Sequence, residues 1–329
     1  MKVVQPYLII LFLLSVLTIK SQTINWEKSY GGSEDEKANC IINSSDNQLV
    51  VAGLAESVNG SVSNHHGFSG GSDFWIYKLD TLGNLLWNKC YGGTDEEEAY
   101  SVVETFDKGF FLAGYSRSKD FDVTGIHLAN PFVWRSDYWV VKTDSVGNIQ
   151  WQKCIGGIND EYAYDAIQIT DSGFAIIGIT ESSDGDVTGF HGSTDIFVVK
   201  LDKTGNIIWT KCFGNVGYES GFSIKQTNDG GFLIGCDVNS NGGDIQGNHG
   251  TGTGNITGDI WIAKLDSLGT IQWSKCYGGT QDEQVNQLLL TSDGGFYICG
   301  TATSNDGDVS GQNGVSNFWL VRVDSIGSN

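Results

Sequence analysis

A tryptophan–x–lysine triplet recurs five times along this chain, and no other feature constrains the fold so tightly. The copies are Trp26-Glu-Lys28, Trp87-Asn-Lys89, Trp151-Gln-Lys153, Trp209-Thr-Lys211 and Trp273-Ser-Lys275, spaced 58 to 64 residues apart. Self-similarity at a near-constant period marks a repeat architecture. Each triplet leads into a glycine turn, as in Tyr30-Gly-Gly32, Tyr91-Gly-Gly93 and Tyr277-Gly-Gly279, then acidic residues, then an apolar segment such as Ser101-Val-Val-Glu-Thr105. A tight turn opens a second segment, clearest in Asp293-Gly-Gly-Phe-Tyr-Ile-Cys-Gly300. A long loop follows, then a third segment ending in Lys-x-Asp, as in Trp75-Ile-Tyr-Lys-Leu-Asp80, and a Gly83-Asn84-type turn back to the next tryptophan. This is a unit of four short antiparallel strands, A to D, with W-x-K on strand D and hairpin signals between strands. The 3.6-residue apolar period of a helical solenoid is missing. Four-stranded units repeated radially are propeller blades. The expected fold is therefore all-β: a five-bladed β-propeller of four-stranded antiparallel blades, one domain over residues 23–329.

The phase of the repeat adds a second expectation. The first W-x-K, in Ile24-Asn-Trp-Glu-Lys28, is a lone D strand, and the last unit runs only through its C strand, Asn317-Phe-Trp-Leu-Val-Arg-Val-Asp324. Pairing of the N-terminal strand with the last blade would bury two open sheet edges. A larger ring built from two chains and an open stack are the alternatives.

Residues 1–22 read as a signal peptide: Lys2, then an apolar core from Tyr7 to Ile19, with cleavage near Ser21 or Gln22. That run is short for a membrane span. A secreted, cell-surface or periplasmic location follows. The 45 glycines against 2 prolines suit many tight turns between strands. A net charge of −20 repels phosphate backbones and excludes nucleic acid as a natural partner. Seven cysteines fit no disulfide framework, because Cys90, Cys154, Cys212 and Cys276 hold one position in successive units. Equivalent positions in neighbouring blades stand too far apart to bridge, so buried free thiols are expected.

With W-x-K-x-Y-G-G, D-G-G-F, D-G-D-V-T-G-x-H-G and D-x-W-V-V-K-L-D-x-x-G-N-I-x-W in place, the chain resembles secreted repeat β-propellers of the Bacteroidota. It is similar, more distantly, to quinoprotein repeats through Leu-Asp-x-x-Gly-x-x-x-Trp. The resemblance covers the whole region after the signal and speaks to architecture, not activity. Quinoprotein rings bind a quinone with residues that have no counterpart here.

Strand direction places the long B–C loops and the D–A connections at one end, and long loops on a rigid scaffold are where binding concentrates. Three features fall there. Glu36, Glu97, Glu161, Glu219 and Glu283 precede strand A in every unit; they would either ring the mouth of the central channel as a cation or ligand site, or cap a turn. Asp120/Asp122, Asp184/Asp186 and Asp306/Asp308 form Asp-x-Asp pairs beside a glycine turn, oxygen-rich enough to suggest calcium, although Asx turns account for them equally. His66, His127, His191 and His249, with Asn313 in the fifth unit, share one loop position, best read as a common hydrogen bond. Departures from the repeat are better functional candidates than repeated residues. The clearest is the insertion Asn130-Pro-Phe-Val-Trp-Arg135, which offers Phe132, Trp134 and Arg135 as a binding anchor.

No catalytic constellation stands out. The leading expectation is a secreted, monomeric, non-enzymatic binding module that takes an extracellular glycan or protein on the B–C/D–A face, with no cofactor beyond a possible calcium ion. The alternatives are a glycan-active enzyme using channel-mouth carboxylates at a fixed separation and a purely structural surface protein.

Overall fold

The computed structural model describes residues 24–67, 70–127, 134–250 and 257–328. Among them every regular element is a strand. The first sheet holds β1 (Glu36–Asn43), β2 (Leu49–Ala55), β3 (Asp73–Leu79) and β4 (Leu85–Tyr91); the second holds β5 (Glu97–Glu104), β6 (Phe110–Ser116), β7 (Asp137–Thr143) and β8 (Ile149–Ile155). The third holds β9 (Glu161–Gln168), β10 (Phe174–Thr180), β11 (Asp195–Leu201) and β12 (Ile207–Phe213), and the fourth β13 (Glu219–Gln226), β14 (Phe232–Val238), β15 (Asp259–Leu265) and β16 (Ile271–Tyr277). The fifth has three strands, β17 (Glu283–Leu290), β18 (Phe296–Ala302) and β19 (Asn317–Val323). Each sheet is a meander of sequential antiparallel neighbours, as the alternation of short strands and tight turns predicts.

Apolar side chains fill the spaces between consecutive sheets. Phe74 and Ile76 of the first sheet pack with Val102, Leu112 and Trp139 of the second, and equivalent clusters join the later sheets. The middle strands β6 and β7 are buried along their whole length, because the second sheet has a neighbour on both faces and these strands read as near-continuous apolar runs. All seven cysteines are free thiols, five of them buried.

The inner strand of every sheet carries a β-bulge at its fourth residue: Asn39, Tyr100, Tyr164, Phe222 and Asn286 stand unpaired in the register. A bulge bends a strand and re-aims one side chain. In the second sheet it brings the Glu98 carbonyl so close to Gly114 that a Cβ there would lie 1.9 Å from that oxygen.

The two ends of the stack differ from the expected closed ring. The N-terminal segment runs as irregular chain, and β19 has β18 as its one strand partner. Hydrogen bonds therefore do not close the five sheets. Among the described residues the expected fourth strand of the last sheet is not formed, and the N-terminal segment lies against the first sheet. Trp26 Nε1 donates to the Thr81 carbonyl at 3.1 Å and Lys28 Nζ to Asn84 Oδ1 at 2.7 Å, while the Tyr30 hydroxyl donates to the Gly83 carbonyl.

Candidate functional site

The long loops and the D–A connections do meet at one end. Thr94, between β4 and β5, donates from its amide and its hydroxyl to Asp120, in the loop after β6, both at 2.9 Å. Interlocked turns from neighbouring sheets thus build a continuous surface, and each predicted site residue can be placed on it.

The five glutamates do not ring a channel mouth. Glu97, Glu161 and Glu219 are wholly buried and Glu283 nearly so. Each is the first residue of its inner strand and turns back into its own unit. Glu97 Oε2 accepts from the Gly93 amide at 2.7 Å, and Oε1 from the Ser116 hydroxyl at 2.6 Å and the Ser118 amide at 3.2 Å. Glu161 repeats this with Gly157 and Thr180, and Glu36, only partly buried, accepts from the Gly32 and Ser57 amides. The glutamates are internal clasps that fasten the D–A turn to the end of strand B. Burial pushes Glu97 and Glu161 each up to about 7, against the hydrogen bonds that favour their charged forms.

The Asp-x-Asp pairs divide their work instead of converging. The first aspartate caps the D–A turn: Asp120 holds Thr94, Asp184 accepts from the Ile158 amide at 3.0 Å, and Asp306 accepts from the Thr280 amide and hydroxyl at 2.8 Å. The second faces the preceding unit. Asp122 Oδ2 lies 3.6 Å from His66 Nε2, and Asp186 Oδ2 3.7 Å from His127 Nε2, while Asp308 lies 3.4 Å from the Gly278 amide. Among the described residues no three His, Cys, Asp or Glu side chains gather as a metal site. Among the described residues the six aspartates thus do not converge as the carboxylate ligands of one calcium ion would.

The histidines make the shared hydrogen bond. His66, His127, His191 and His249 each bring the backbone amide and Nδ1 to one buried aspartate: Asp73, Asp137, Asp195 and Asp259, at 2.5 to 3.0 Å. That hydrogen bond raises the pKa of His66 and of His127. The four aspartates, at the head of strand C, were not singled out in the sequence, although an Asp immediately before an aromatic or aliphatic run recurs in four units. All four are completely buried, and Oδ1 of each lacks a hydrogen-bond partner. Asp73 Oδ1 and Glu97 Oε2 crowd the same spot, for a Cβ on Gly92 would stand 2.4 Å from one and 2.5 Å from the other.

In the second unit's insertion, Phe132 lies outside the described residues. Trp134 is 69% exposed. Arg135 is held rather than free: Nη1 meets Asp160 at 2.5 Å and Glu181 at 4.0 Å. The exposed indole thus immediately precedes, in sequence, an arginine fixed by Asp160.

The other departure from the repeat escaped the sequence reading. Three of the five bulged residues are aromatic, and they touch from sheet to sheet: Tyr100 lies tilted against Tyr164 with ring centroids 5.3 Å apart, and Tyr164 stacks on Phe222 at 5.2 Å. The signal was the variation Asn, Tyr, Tyr, Phe, Asn at one strand-A position, which alternation alone does not mark as special.

No family model matches the chain. A curated relative, the regulatory protein FlaEY of Caulobacter vibrioides, is 24% identical over 137 residues, which is 40% of this chain and 14% of that protein. The chain thus matches about a seventh of that relative's length. Among solved structures, a protein of unknown function from Bacteroides caccae is 12% identical, with 89% of this chain and 79% of that one covered and a TM-score of 0.47. One from Dyadobacter fermentans is 14% identical over 81% and 76%, with a TM-score of 0.45. A puromycin hydrolase is 10% identical over 91% of this chain and 40% of its own, with a TM-score of 0.47. At those scores the comparisons leave the chain's function to be argued from its own all-β repeat.

Proposed function

We propose that the chain is a secreted, non-enzymatic binding module whose ligand, an extracellular glycan or protein, docks on the long-loop end against Trp134. The observation that carries this is the exposed indole in a unit-specific insertion, followed directly in sequence by an arginine already immobilised by Asp160. Aromatic anchors beside a fixed charge dominate binding energies, and pre-ordering reduces the entropy lost on docking. The non-enzymatic reading draws support from the glutamates, whose carboxylates fasten turns inside the sheets.

The scaffold in this proposal is a five-bladed propeller closed by its N-terminal strand. Gly83 turns over the ring of Trp26 just as Gly205 turns over Trp151 and Gly269 over Trp209. This likeness supports a strand-D role for the segment ahead of the first sheet. Ile41 is 62% exposed, while its counterparts Val102, Ala166, Ile224 and Leu288 are buried. At the other end Phe318 is 77% and Leu320 60% exposed, where Phe74, Ile76 and their counterparts in the intervening sheets are fully buried. Two faces built for the same repeated contact are left without it, and closure would unite them.

The test of function is a glycan and peptide array probed with the mature protein and with Trp134→Ala. Retention by a defined set of glycans or peptides, lost in the variant, is expected. Equal signals from both proteins, or none from either, would reject this site.

A further inference from the structure

The residue just before the clasp glutamate is an acid in four of the five units, Asp35, Glu96, Asp160 and Asp282, but Tyr218 in the fourth. The acid has a structural duty at the head of the preceding strand C. Asp160 accepts from the Ser136 amide and hydroxyl, both at 2.9 Å, and Asp282 from the Gly258 amide at 3.0 Å. In the fourth unit the Gly217 carbonyl takes the corresponding Thr194 amide at 3.3 Å, so the Tyr218 side chain has nothing to fasten. The position that faces it after strand B changes as well. It holds Glu56, Arg117, Glu181 and Thr303 in the other units and Asn239 here. Where the second unit sets the ion pair of Arg117 with Glu96, the fourth sets an amide and a phenol. Asn239 Oδ1 accepts from the Tyr218 amide at 3.0 Å, which fixes the two side by side. The Tyr218 side chain is 59% exposed, and among the described residues no other ring packs on it and its hydroxyl makes no hydrogen bond.

We propose that Tyr218 is the platform of a binding site for a neutral glycan on the long-loop end. Two hollows share Tyr218 and Asn239 as a common wall. The larger, of about 380 Å³, is also lined by Val216, Asn241, Asn248 and Thr257, and the smaller, of about 160 Å³, by Ser220, Asp282 and Gln284. The larger volume falls within the about 300–1,000 Å³ of small-ligand sites. Among the described residues no charged side chain lines it, although the chain carries 39 acids and a net charge of −20. A charged ligand finds no counter-charge there, and an anion is repelled by the molecule as a whole. Val216 is its one aliphatic side chain among the described residues and is 73% exposed, so nothing encloses the apolar anchor of a peptide. What the surface offers is an uncovered aromatic ring bordered by amides and hydroxyls. A pyranose matches it. The C–H face of the sugar lies on the Tyr218 ring, while its hydroxyls, each one donor and two acceptor sites, meet the Asn239 amide nitrogen on one side and Asp282 and Gln284 on the other. This site lies two units along the chain from Trp134 and does not rest on that reading.

The test is made in the Trp134→Ala background, which keeps the two sites apart. An array of neutral glycans, uronate- and sialate-bearing glycans and uncharged peptides is probed with this protein, and the glycans it retains are then titrated by calorimetry. Retention of a set of neutral glycans is expected. Tyr218→Asp, which installs the acid that two other units carry at this position, and Tyr218→Ala should each weaken that binding by about tenfold or more, with melting midpoints close to the parent's. Tyr218→Phe keeps the ring and should retain most of the affinity. Because the acid already serves its place in the other units, Tyr218→Asp tests the ring without disturbing the fold, and Tyr218→Ala is decisive should the acid variant melt early. No retention of any neutral glycan, preference for acidic glycans or for peptides, or undiminished binding in a folded Asp or Ala variant would each overturn the proposal.

Discussion

Asp73 shows how far a single repeated residue can be from the role its chemistry suggests. It is an acid with no exposure, one oxygen engaged by His66 and the other unpartnered beside Glu97. A buried carboxylate oxygen without a donor is costly. The fifth unit avoids that cost by placing Asn317 at this position, and in the amide orientation that satisfies its neighbours Asn317 accepts from the Asn313 amide at 2.9 Å. Asp73→Asn should therefore be tolerated, since its oxygen still serves His66 and its new NH₂ can donate towards Glu97. We expect its thermal midpoint at pH 7.5 to equal or exceed the parent's. Asp73→Ala leaves the His66 amide and ring without an acceptor and should lose about 1–3 kcal/mol. Differential scanning calorimetry of the pair decides the point. An Asn variant as damaged as the Ala variant would mean that the negative charge itself is required.

The strands were legible because two signals agree in each unit: a turn chemistry of glycine with Asn or Asp, and apolar runs of seven or eight residues such as Phe110–Ser116. The bulges were not, since a residue displaced from register leaves no mark in a pattern of period two. Nor was the direction of Glu97 legible. A glutamate before an inner strand can point along the channel or into its own turn, and the choice is made by Gly93 four residues earlier and by Ser116 across the sheet. The N-terminal segment tests how much an element's place depends on its partners. Removing Thr23–Tyr30 takes away the bonds to Thr81, Gly83 and Asn84 and uncovers Tyr77, against which Tyr30 packs at 5.3 Å. If that segment also completes the last sheet, as proposed, the truncated protein should melt several degrees lower and self-associate through β19, an unpaired edge. Light scattering and thermal melts check this. A monomer with the parent's midpoint would exclude closure by this strand.

At the scale of the molecule, one acid–base consequence follows from burial repeated around the stack. Glu97 and Glu161 titrate near 7 inside the folded chain, and burial also lifts Asp237 to about 7. In the unfolded chain such groups ionise near 4. Between about pH 4.5 and 7 the folded state thus binds more protons than the unfolded state, and stability falls as pH rises. His66 and His127, raised by their aspartate partners, act in the same sense, because the stabilisation of their charged forms is lost as pH climbs through their folded values. Surface aspartates set the lower limit: Asp46, held down by Lys78, and Asp293, held down by Thr291, lose their contribution as pH falls below the ordinary carboxylate range. The net charge of −20 adds self-repulsion at high pH. Maximum stability should consequently lie near pH 5, with a melting midpoint about 5 °C or more below that maximum by pH 8. Glu97→Gln with Glu161→Gln supplies a neutral side chain at both clasps and should flatten this slope while keeping the fold. A midpoint that rises from pH 5 to pH 8, or a slope unchanged in the double variant, would show that these buried carboxyls do not govern the molecule's response to pH.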